Sequence, residues 1–351
     1  MTRRLRLAIT MGDPAGIGPE VAVKAIAARG VARLVEPILV GDPGVWRATA
    51  ARLGVRLAFA DGADGGGSGR VAVAVTPQLP ARYRQPGPPR TPAAAAACGE
   101  AAFAAIVEAV RLVTAGQALG VVTAPISKAH LAAAGHDFPG HTELLAHLCG
   151  DVPVRMMMVG PRLRVVLVTI HMALADVPRR LTRDGVLETM TLCAQGLRQR
   201  FGIGAPRIAV AGLNPHAGEG GLFGNEEARI IAPAVRAARR RGIDVCGPLA
   251  ADSLFAPAAA GAYDAVVCMY HDQGLGPFKL LHFADGVNFT LGLPFVRTAP
   301  DHGTAFDIAG RGEADPRSMI AAIQVAAATA GRGHHERRRM ALVKRAVSAV
   351  G

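Results

Sequence analysis

Leu5-Arg6-Leu7-Ala8-Ile9-Thr10-Met11-Gly12-Asp13-Pro14-Ala15-Gly16-Ile17-Gly18-Pro19-Glu20 passes from an apolar run through a Gly- and Asp-bearing turn into a helix-forming stretch. Leu5 to Thr10 reads as a strand. Gly12 to Glu20 reads as a turn that opens a helix through about Ala28, and Pro19 suits the first helical turn because its missing N–H costs nothing there. Strand, turn and helix in that order are the unit of an α/β protein.

The same unit recurs outward along the chain. Ile38–Val40, Ala118–Thr123, Val165–Ile170, Ile208–Ala211 and Ala265–Met269 read as further strands. Ala93–Ala115, Ser127–Ala134, Thr142–Cys149, Arg183–Phe201, Asn225–Arg241, Ser318–Ala330 and Glu336–Val350 read as helices. Asp61–Gly69 is Gly-rich and Pro77–Pro92 Pro-rich, so both are expected to be loops. No solenoid-type repeat is present.

With 351 residues, half of them hydrophobic, the chain can bury a sizeable core, expected as two lobes. Only 4% of the residues are aromatic, so Ala, Val, Leu and Gly supply the apolar surface. Cys98, Cys149, Cys193, Cys246 and Cys268 are odd in number and form no CxxC pair, which excludes a disulfide framework and points to reduced thiols in a cytoplasmic protein. The apolar run after the basic N-terminus is too short for a signal-peptide core. No uninterrupted run approaches the ~20 apolar residues of a membrane span.

The net charge of +12 raises the question of nucleic acid. The basic residues fall in separate clusters (Arg179, Arg180 and Arg183; Arg236 and Arg239–Arg241; Arg337–Arg339), with no aromatic residues interleaved. Solvated helix faces are the ordinary meaning of such runs, and no nucleic-acid or membrane partner is expected.

His171, His216 and His271 each follow an apolar strand. In open α/β sheets ligands bind beyond the carboxyl ends of strands, so the three can meet in one crevice. Three imidazoles suit a divalent metal and leave positions for substrate. Three histidines that merely cap strands would show the same spacing, and both readings stay open. Asp272 and Glu219 stand where they can orient the imidazoles. Gly140-His141-Thr142-Glu143 precedes a helix, with Thr142 as its expected N-cap and the helix start as a place for an anion. Lys279 and Arg297 flank Asn288 and are cations able to hold carboxylate or phosphate, or else ordinary surface residues. Gly16-Ile17-Gly18-Pro19-Glu20-Val21 only half matches the GxGxxG of a Rossmann site. Asp301 to Gly310 is a polar, Gly-bounded loop entering a helical turn.

Taken together, Thr10–Glu20, Gly140–Glu143, Gly212–Glu219, Met269–Gly274 and Gly286–Gly310 resemble the 4-hydroxythreonine-4-phosphate dehydrogenase family over nearly the whole chain. The resemblance implies an isocitrate/isopropylmalate dehydrogenase-like fold: two α/β/α lobes with a cleft between them, residues 1–130 with 265–351 as the cofactor lobe and 131–264 as the substrate, metal and dimerisation lobe. It implies a homodimer whose active site is shared across the interface. His302-Gly303-Thr304-Ala305-Phe306-Asp307-Ile308-Ala309-Gly310 is similar to the adenine loop of those dehydrogenases, which accounts for NAD use, with NADP also compatible, without a Rossmann fingerprint. By the same resemblance His171, His216 and His271 match metal ligands for Zn, Mg, Co or Mn. His141, Thr142, Lys279, Asn288 and Arg297 match substrate-binding positions. His302, Gly303, Thr304, Ala305 and Asp307 match cofactor-binding positions, and Asp252 and Lys279 are the catalytic candidates.

The implied reaction oxidises the C3 alcohol of 4-phosphooxy-L-threonine, and the keto acid product decarboxylates to 3-amino-2-oxopropyl phosphate, in pyridoxal phosphate synthesis. Thr123–Lys128 and Gly276–Leu281 depart from the commonest family pattern. Sister enzymes acting on threonate or erythronate 4-phosphate, or on a dihydrodiol dicarboxylate, are the alternatives. A phosphate acyltransferase shares the broad fold but needs neither the three histidines nor the adenine loop.

Overall fold

The computed structural model describes residues 4–67 and 69–331. The helix expected over 336–350 and the basic cluster at 337–339 lie outside the described residues. In chain order the strands are β1 (Leu5–Thr10), β2 (Val35–Gly41), β3 (Ala58–Asp61), β4 (Arg70–Val75), β5 (Gly120–Thr123), β6 (Arg155–Val159), β7 (Arg164–Leu167), β8 (Ile208–Ala211), β9 (Val245–Leu249), β10 (Ala265–Cys268), β11 (Val287–Leu291) and β12 (Val296–Pro300). The α-helices are α1 (Gly18–Ala27), α2 (Arg29–Leu34), α3 (Pro43–Arg52), α4 (Pro92–Thr114), α5 (Lys128–Ala133), α6 (His141–Leu148), α7 (Val177–Arg180), α8 (Arg183–Gln199), α9 (Ala232–Arg240), α10 (Ala251–Ala259), α11 (His271–His282) and α12 (Arg317–Ala330). Among the described residues these form two compact units, one that reaches to residue 153 and resumes at 293, and one of residues 154–292.

The first unit carries six strands in the order β3-β4-β2-β1-β5-β12, every neighbouring pair parallel. Parallel strands are covered on both faces, so they read as apolar runs rather than as alternation. Leu7 to Thr10 are accordingly all buried. Helix α4 packs on β1, β2 and β5 together with α5 and α6, while α12 packs on β12, β5 and β1 with α1 and α2. The apolar length of α4 would also suit a membrane span. Its buried stripe, running from Cys98 through Ala102, Ile106 and Val110 to Val113, shows instead the core helix of a folded unit.

Buried Asp42 organises the Pro-rich stretch. It caps α3 by accepting from Gly44 N (2.6 Å), and it also accepts from Leu79 N (2.8 Å) and Arg84 Nε (3.0 Å). Trp46, the only tryptophan of the chain, is fully buried on α3.

The second unit has the strand order β11-β6-β7-β10-β8-β9. The β11–β6 and β6–β7 pairs are antiparallel, and the remaining three pairs are parallel. Val165, Leu167, Ala209, Ala211, Val266 and Cys268 turn one face toward Leu254 and Ala258 of α10 and Leu275 and Phe278 of α11. Helix α8 packs on β7, β10 and β11, and α9 on β9.

Several expected boundaries move. The strand expected to run to Ile170 ends at Leu167, although Val168 N still donates to Cys268 O (2.9 Å). The helix expected over Asn225–Arg241 is broken at its start by a π-helical turn, Glu227–Ile231. The segment from Asp301 to Gly310 forms turns, and α12 begins only at Arg317.

Gly99, inside α4, lies against the backbone carbonyl of His130 in α5, which a Cβ would overlap. Helix propensity alone would make Gly99→Ala stabilising by about 1 kcal/mol. Overpacking against backbone outweighs this, and Gly99→Ala is expected to cost about 1–2 kcal/mol net. The measurement is the denaturant midpoint at unchanged slope; a rise in that midpoint would contradict the close α4–α5 packing.

Candidate active site

In the second unit the parallel strands β7, β10 and β8 release their chains at one edge. Leu167 and Cys268 are register partners, so His171 and His271 leave that edge four and three residues beyond them. Their imidazole rings stand 5.6 Å apart, centroid to centroid, at 44°. The two exits are tied together, because Thr169 N and Oγ1 both donate to Met269 O (3.2 and 2.7 Å). Gln273 ties in the third exit. Its Oε1 accepts from Met269 N (2.7 Å) and its Nε2 donates to Gly212 O (2.6 Å), just past β8.

His216 stands on a backbone of unusual hand. His216, Ala217, Gly218, Glu219 and Gly220 all have positive φ (51°, 54°, 85°, 43° and 66°). For a non-glycine residue this costs about 1–2 kcal/mol, so surrounding contacts must hold the turn. Buried Glu227 supplies them, accepting from Leu213 N (2.7 Å), Asn214 N (2.7 Å) and Asn214 Nδ2 (3.0 Å). Burial would raise the Glu227 carboxyl, but these hydrogen bonds prevail and hold it below the usual carboxylate range.

Both carboxylates beside the imidazoles are bonded to them. His271 Nδ1 donates to Asp272 Oδ1 (2.8 Å) and His216 Nδ1 to Glu219 Oε2 (3.1 Å). That tautomer leaves Nε2 of each ring as the lone-pair nitrogen, the form in which histidine ligates a metal. Among the described residues, no group of three or more His, Cys, Asp or Glu is gathered within the chain to hold a metal ion. His171 and His271 are thus brought together, while His216 contacts Glu219 and Phe223 on its own loop. Asp252 is exposed in the first turn of α10, Lys279 is half-buried on α11, and Asn288 is half-buried on β11 opposite Met158.

The first unit holds the other matched residues. Arg297, on β12 beside β5, is buried, and its Nε and Nη2 donate to Thr123 Oγ1 (3.1 and 2.6 Å). Burial pushes its guanidinium down to about 9, and Glu143 opposes that. At neutral pH it is a cation in a setting where each charge acts strongly. His141 begins α6, and its Nε2 is buried without a hydrogen-bond partner. Burial, and then the Arg297 charge, hold this imidazole well below its ordinary value.

Thr142 is not the N-cap. Gly140 takes that position in extended geometry, and the Thr142 side chain turns into the protein. In the 302–310 segment His302 Nδ1 donates to Gly303 O (3.1 Å), and its Nε2 is buried without a partner. Thr304 and Ala305 are half-buried, Gly303 and Asp307 exposed.

Four residues important to these arrangements are absent from the sequence-based set: Glu227, Gln273, Thr123 and Glu143. Gln273 and Glu143 stand inside the motifs around His271 and His141. Thr123 closes an expected strand. Nothing in the sequence marks Glu227, which opens the π turn and reaches the loop before His216.

His141 keeps its proton off in the folded chain at a pH where the unfolded chain binds it. Stability is therefore lost as pH falls below about 6.5 toward the lowered folded value. His141→Gln is expected to flatten the decline of the denaturation midpoint between about pH 6.5 and 5. An imidazole NMR titration of His141 centred at its ordinary value would overturn the assignment.

A family model described as pyridoxal phosphate biosynthetic protein PdxA matches residues 33–326. A 4-hydroxythreonine-4-phosphate dehydrogenase of Desulfosudis oleivorans is 51% identical over 338 residues, covering 93% of this chain and 96% of that protein. The crystal structure of 4-hydroxythreonine-4-phosphate dehydrogenase from Klebsiella pneumoniae is 40% identical with a TM-score of 0.85, covering 93% of this chain and 98% of that one. A terephthalate 1,2-cis-dihydrodiol dehydrogenase from Burkholderia xenovorans is 34% identical with a TM-score of 0.65, covering 93% and 98% of the two chains. The match over most of the chain, together with histidines delivered at the carboxyl edge of parallel strands, establishes that this chain belongs to the PdxA family.

Proposed function

We propose that the chain is a 4-hydroxythreonine-4-phosphate dehydrogenase that oxidises the C3 alcohol of 4-phosphooxy-L-threonine with NAD as acceptor. The product, 2-amino-3-oxo-4-(phosphooxy)butanoate, loses CO2 to give 3-amino-2-oxopropyl phosphate. The carrying observation is the His171–His271 pair at adjoining strand ends, in a chain about half identical to relatives bearing that name. The lower identity and TM-score of the dihydrodiol dehydrogenase support the phosphorylated hydroxy amino acid over that substrate class.

The residues fit the groups such a reaction needs. His171, His216 and His271, the latter two turned Nε2-outward by Glu219 and Asp272, suit Zn, Co, Mn or Mg, with one imidazole supplied by a partner subunit. A divalent ion held there would supply Lewis-acid polarisation, the effect that lowers the pKa of a bound water to roughly 7. The 302–307 segment, with the unpartnered His302 Nε2, fits a dinucleotide loop. Held by that segment, NAD would supply the two-electron acceptor for the hydrogen leaving C3.

The chain's own residues do the rest. Arg297 and neutral His141 take an anionic group of the substrate, the first as charge and the second through Nε2, with Thr142 beside them. Within the second unit, Lys279 and Asn288 are the substrate-binding candidates. Asp252 and Lys279 are the candidate acceptors of the hydroxyl proton. On this reading the first unit is the dinucleotide lobe and the second the metal and dimerisation lobe.

Met172, Leu174, Leu222, Phe223, Leu280 and Phe283 are exposed on the second unit, Leu280 by 86% and Phe283 by 80%, and they follow the three histidine segments in sequence. Large apolar side chains left in water beside site residues support a second copy of the chain as their cover. A cytoplasmic homodimer is therefore part of the proposal.

NADH formation across a panel of phosphorylated and unphosphorylated hydroxy acids is expected to be fastest with 4-phosphooxy-L-threonine, to stop on chelation and to return with added divalent metal. A higher rate with a dihydrodiol dicarboxylate would replace the substrate, and turnover in full chelator would remove the metal. The shared site is tested by mixing His171→Ala, His216→Ala and His271→Ala chains in pairs. If one ligand comes from the partner, two of the three mixtures regain roughly a quarter of wild-type activity, since half the dimers are mixed and each has one intact site. Recovery in none would place all three ligands on one chain.

A further inference from the structure

The turn that half matches a dinucleotide fingerprint is engaged by protein rather than left open for phosphate. Ile17 N, immediately before α1, donates to Thr304 O (2.9 Å), and a Cβ on Gly16 would stand 2.9 Å from the same oxygen. In the first turn of the helix, Glu20, only 3% exposed, accepts from Ala314 N (2.9 Å) and Gly312 N (3.3 Å). One turn further, Lys24 Nζ donates to Glu20 Oε1 (2.8 Å), Gly312 O (2.8 Å) and Ala314 O (2.7 Å). An ammonium has three donors, and here all three are used on one clamp.

The middle of the segment is met as well. Phe306 packs on the His130 ring (5.1 Å between centroids), and His130 Nδ1 lies 2.6 Å from Oδ2 of buried Asp13, a residue of the same turn. Between these anchors the chain turns through positive φ at Ala305 (40°) and Gly310 (81°). A segment of turns with no helix or strand of its own depends on such outside contacts for a single conformation.

We propose that the Gly12–Lys24 turn and helix hold residues 302–314 in the conformation that binds the dinucleotide, with Glu20 and Lys24 as positioning residues acting through that segment. This rests on the reading of 302–307 as the dinucleotide loop. The glycines of the turn then serve close approach to protein backbone at Thr304 and at Met11, where Gly16 and Gly18 admit no Cβ. Glu20 and Lys24 are far from a generic surface pair: an exposed ion pair contributes little, whereas a buried carboxylate that loses its partner disorders what it held.

The test uses the full-length enzyme, with Lys24→Met as the main variant, Lys24→Arg as the conservative one and His302→Ala as the probe of the loop itself. If Lys24→Met leaves the 302–314 segment competent about a tenth of the time, the apparent Kd for NAD rises about tenfold. The expected result is faster hydrogen exchange at 312–314 in the free enzyme, that rise in Kd by calorimetry, an unchanged KM for the phosphorylated acid, unchanged kcat at saturating NAD, and partial recovery in Lys24→Arg. Unchanged exchange at 312–314 in Lys24→Met overturns the clamp. Faster exchange with unchanged NAD affinity, while His302→Ala weakens binding, keeps the loop assignment and overturns the positioning role. Unchanged affinity in both Lys24→Met and His302→Ala overturns the loop assignment, and the inference with it.

Discussion

Parallel pairing delivers every strand of a sheet to the same edge, and the second unit is organised by that constraint. β7, β10 and β8 are neighbours and run the same way, so the segments carrying His171, His271 and His216 emerge side by side. No local preference of those segments for one another is needed. What local chemistry adds is restraint: Thr169 ties the first exit to the second, and Gln273 ties the second to the third. Glu227 then holds the turn that presents His216 against the cost of its left-handed backbone. The imidazoles are therefore placed by topology and only trimmed by hydrogen bonds.

The first unit solves a different electrostatic problem. A guanidinium taken out of water is costly unless it is bonded and countered. Arg297 has Thr123 on its own sheet and Glu143 from the first turn of α6. The same burial that concentrates its field also keeps His141 neutral. A neutral imidazole beside a fixed cation offers an anion one hydrogen bond and one charge without a second positive group to desolvate. By contrast His171 and His216 are exposed and His271 half-buried, as suits groups that other molecules must reach.

The sequence revealed the elements whose patterns are strong. β1, β2, β8 and β10 are short apolar runs, and α4 and α8 are long and periodic, so all were legible. β6, β11 and β12 were not: the Met156–Met158 run is apolar but not β-branched, Thr290 and Thr298 dilute the apolar signal, and antiparallel placement of β6 and β11 depends on partners distant in sequence. The imidazoles and the buried cation were legible as residue types, yet not their burial. Arg297 looks like any surface arginine until β12 is known to lie beside β5. Thr142 looked like a cap because Ser and Thr usually are, but a glycine one residue before the helix took the position. Glu227 could not be read at all, since its partners Leu213 and Asn214 stand on a separate loop that only the fold brings to it.

The scarcity of aromatic residues has a spectroscopic consequence. Trp46 is the chain's one indole, and it is buried in the first unit with its Nε1 lacking a hydrogen-bond partner. Tryptophan emission therefore follows that unit alone, whereas far-ultraviolet dichroism sums the helices of both. When the two optical signals trace the same unfolding curve, the halves of the chain melt as one cooperative body; when the curves separate, the interval between them measures the independent stability of the half that has no indole.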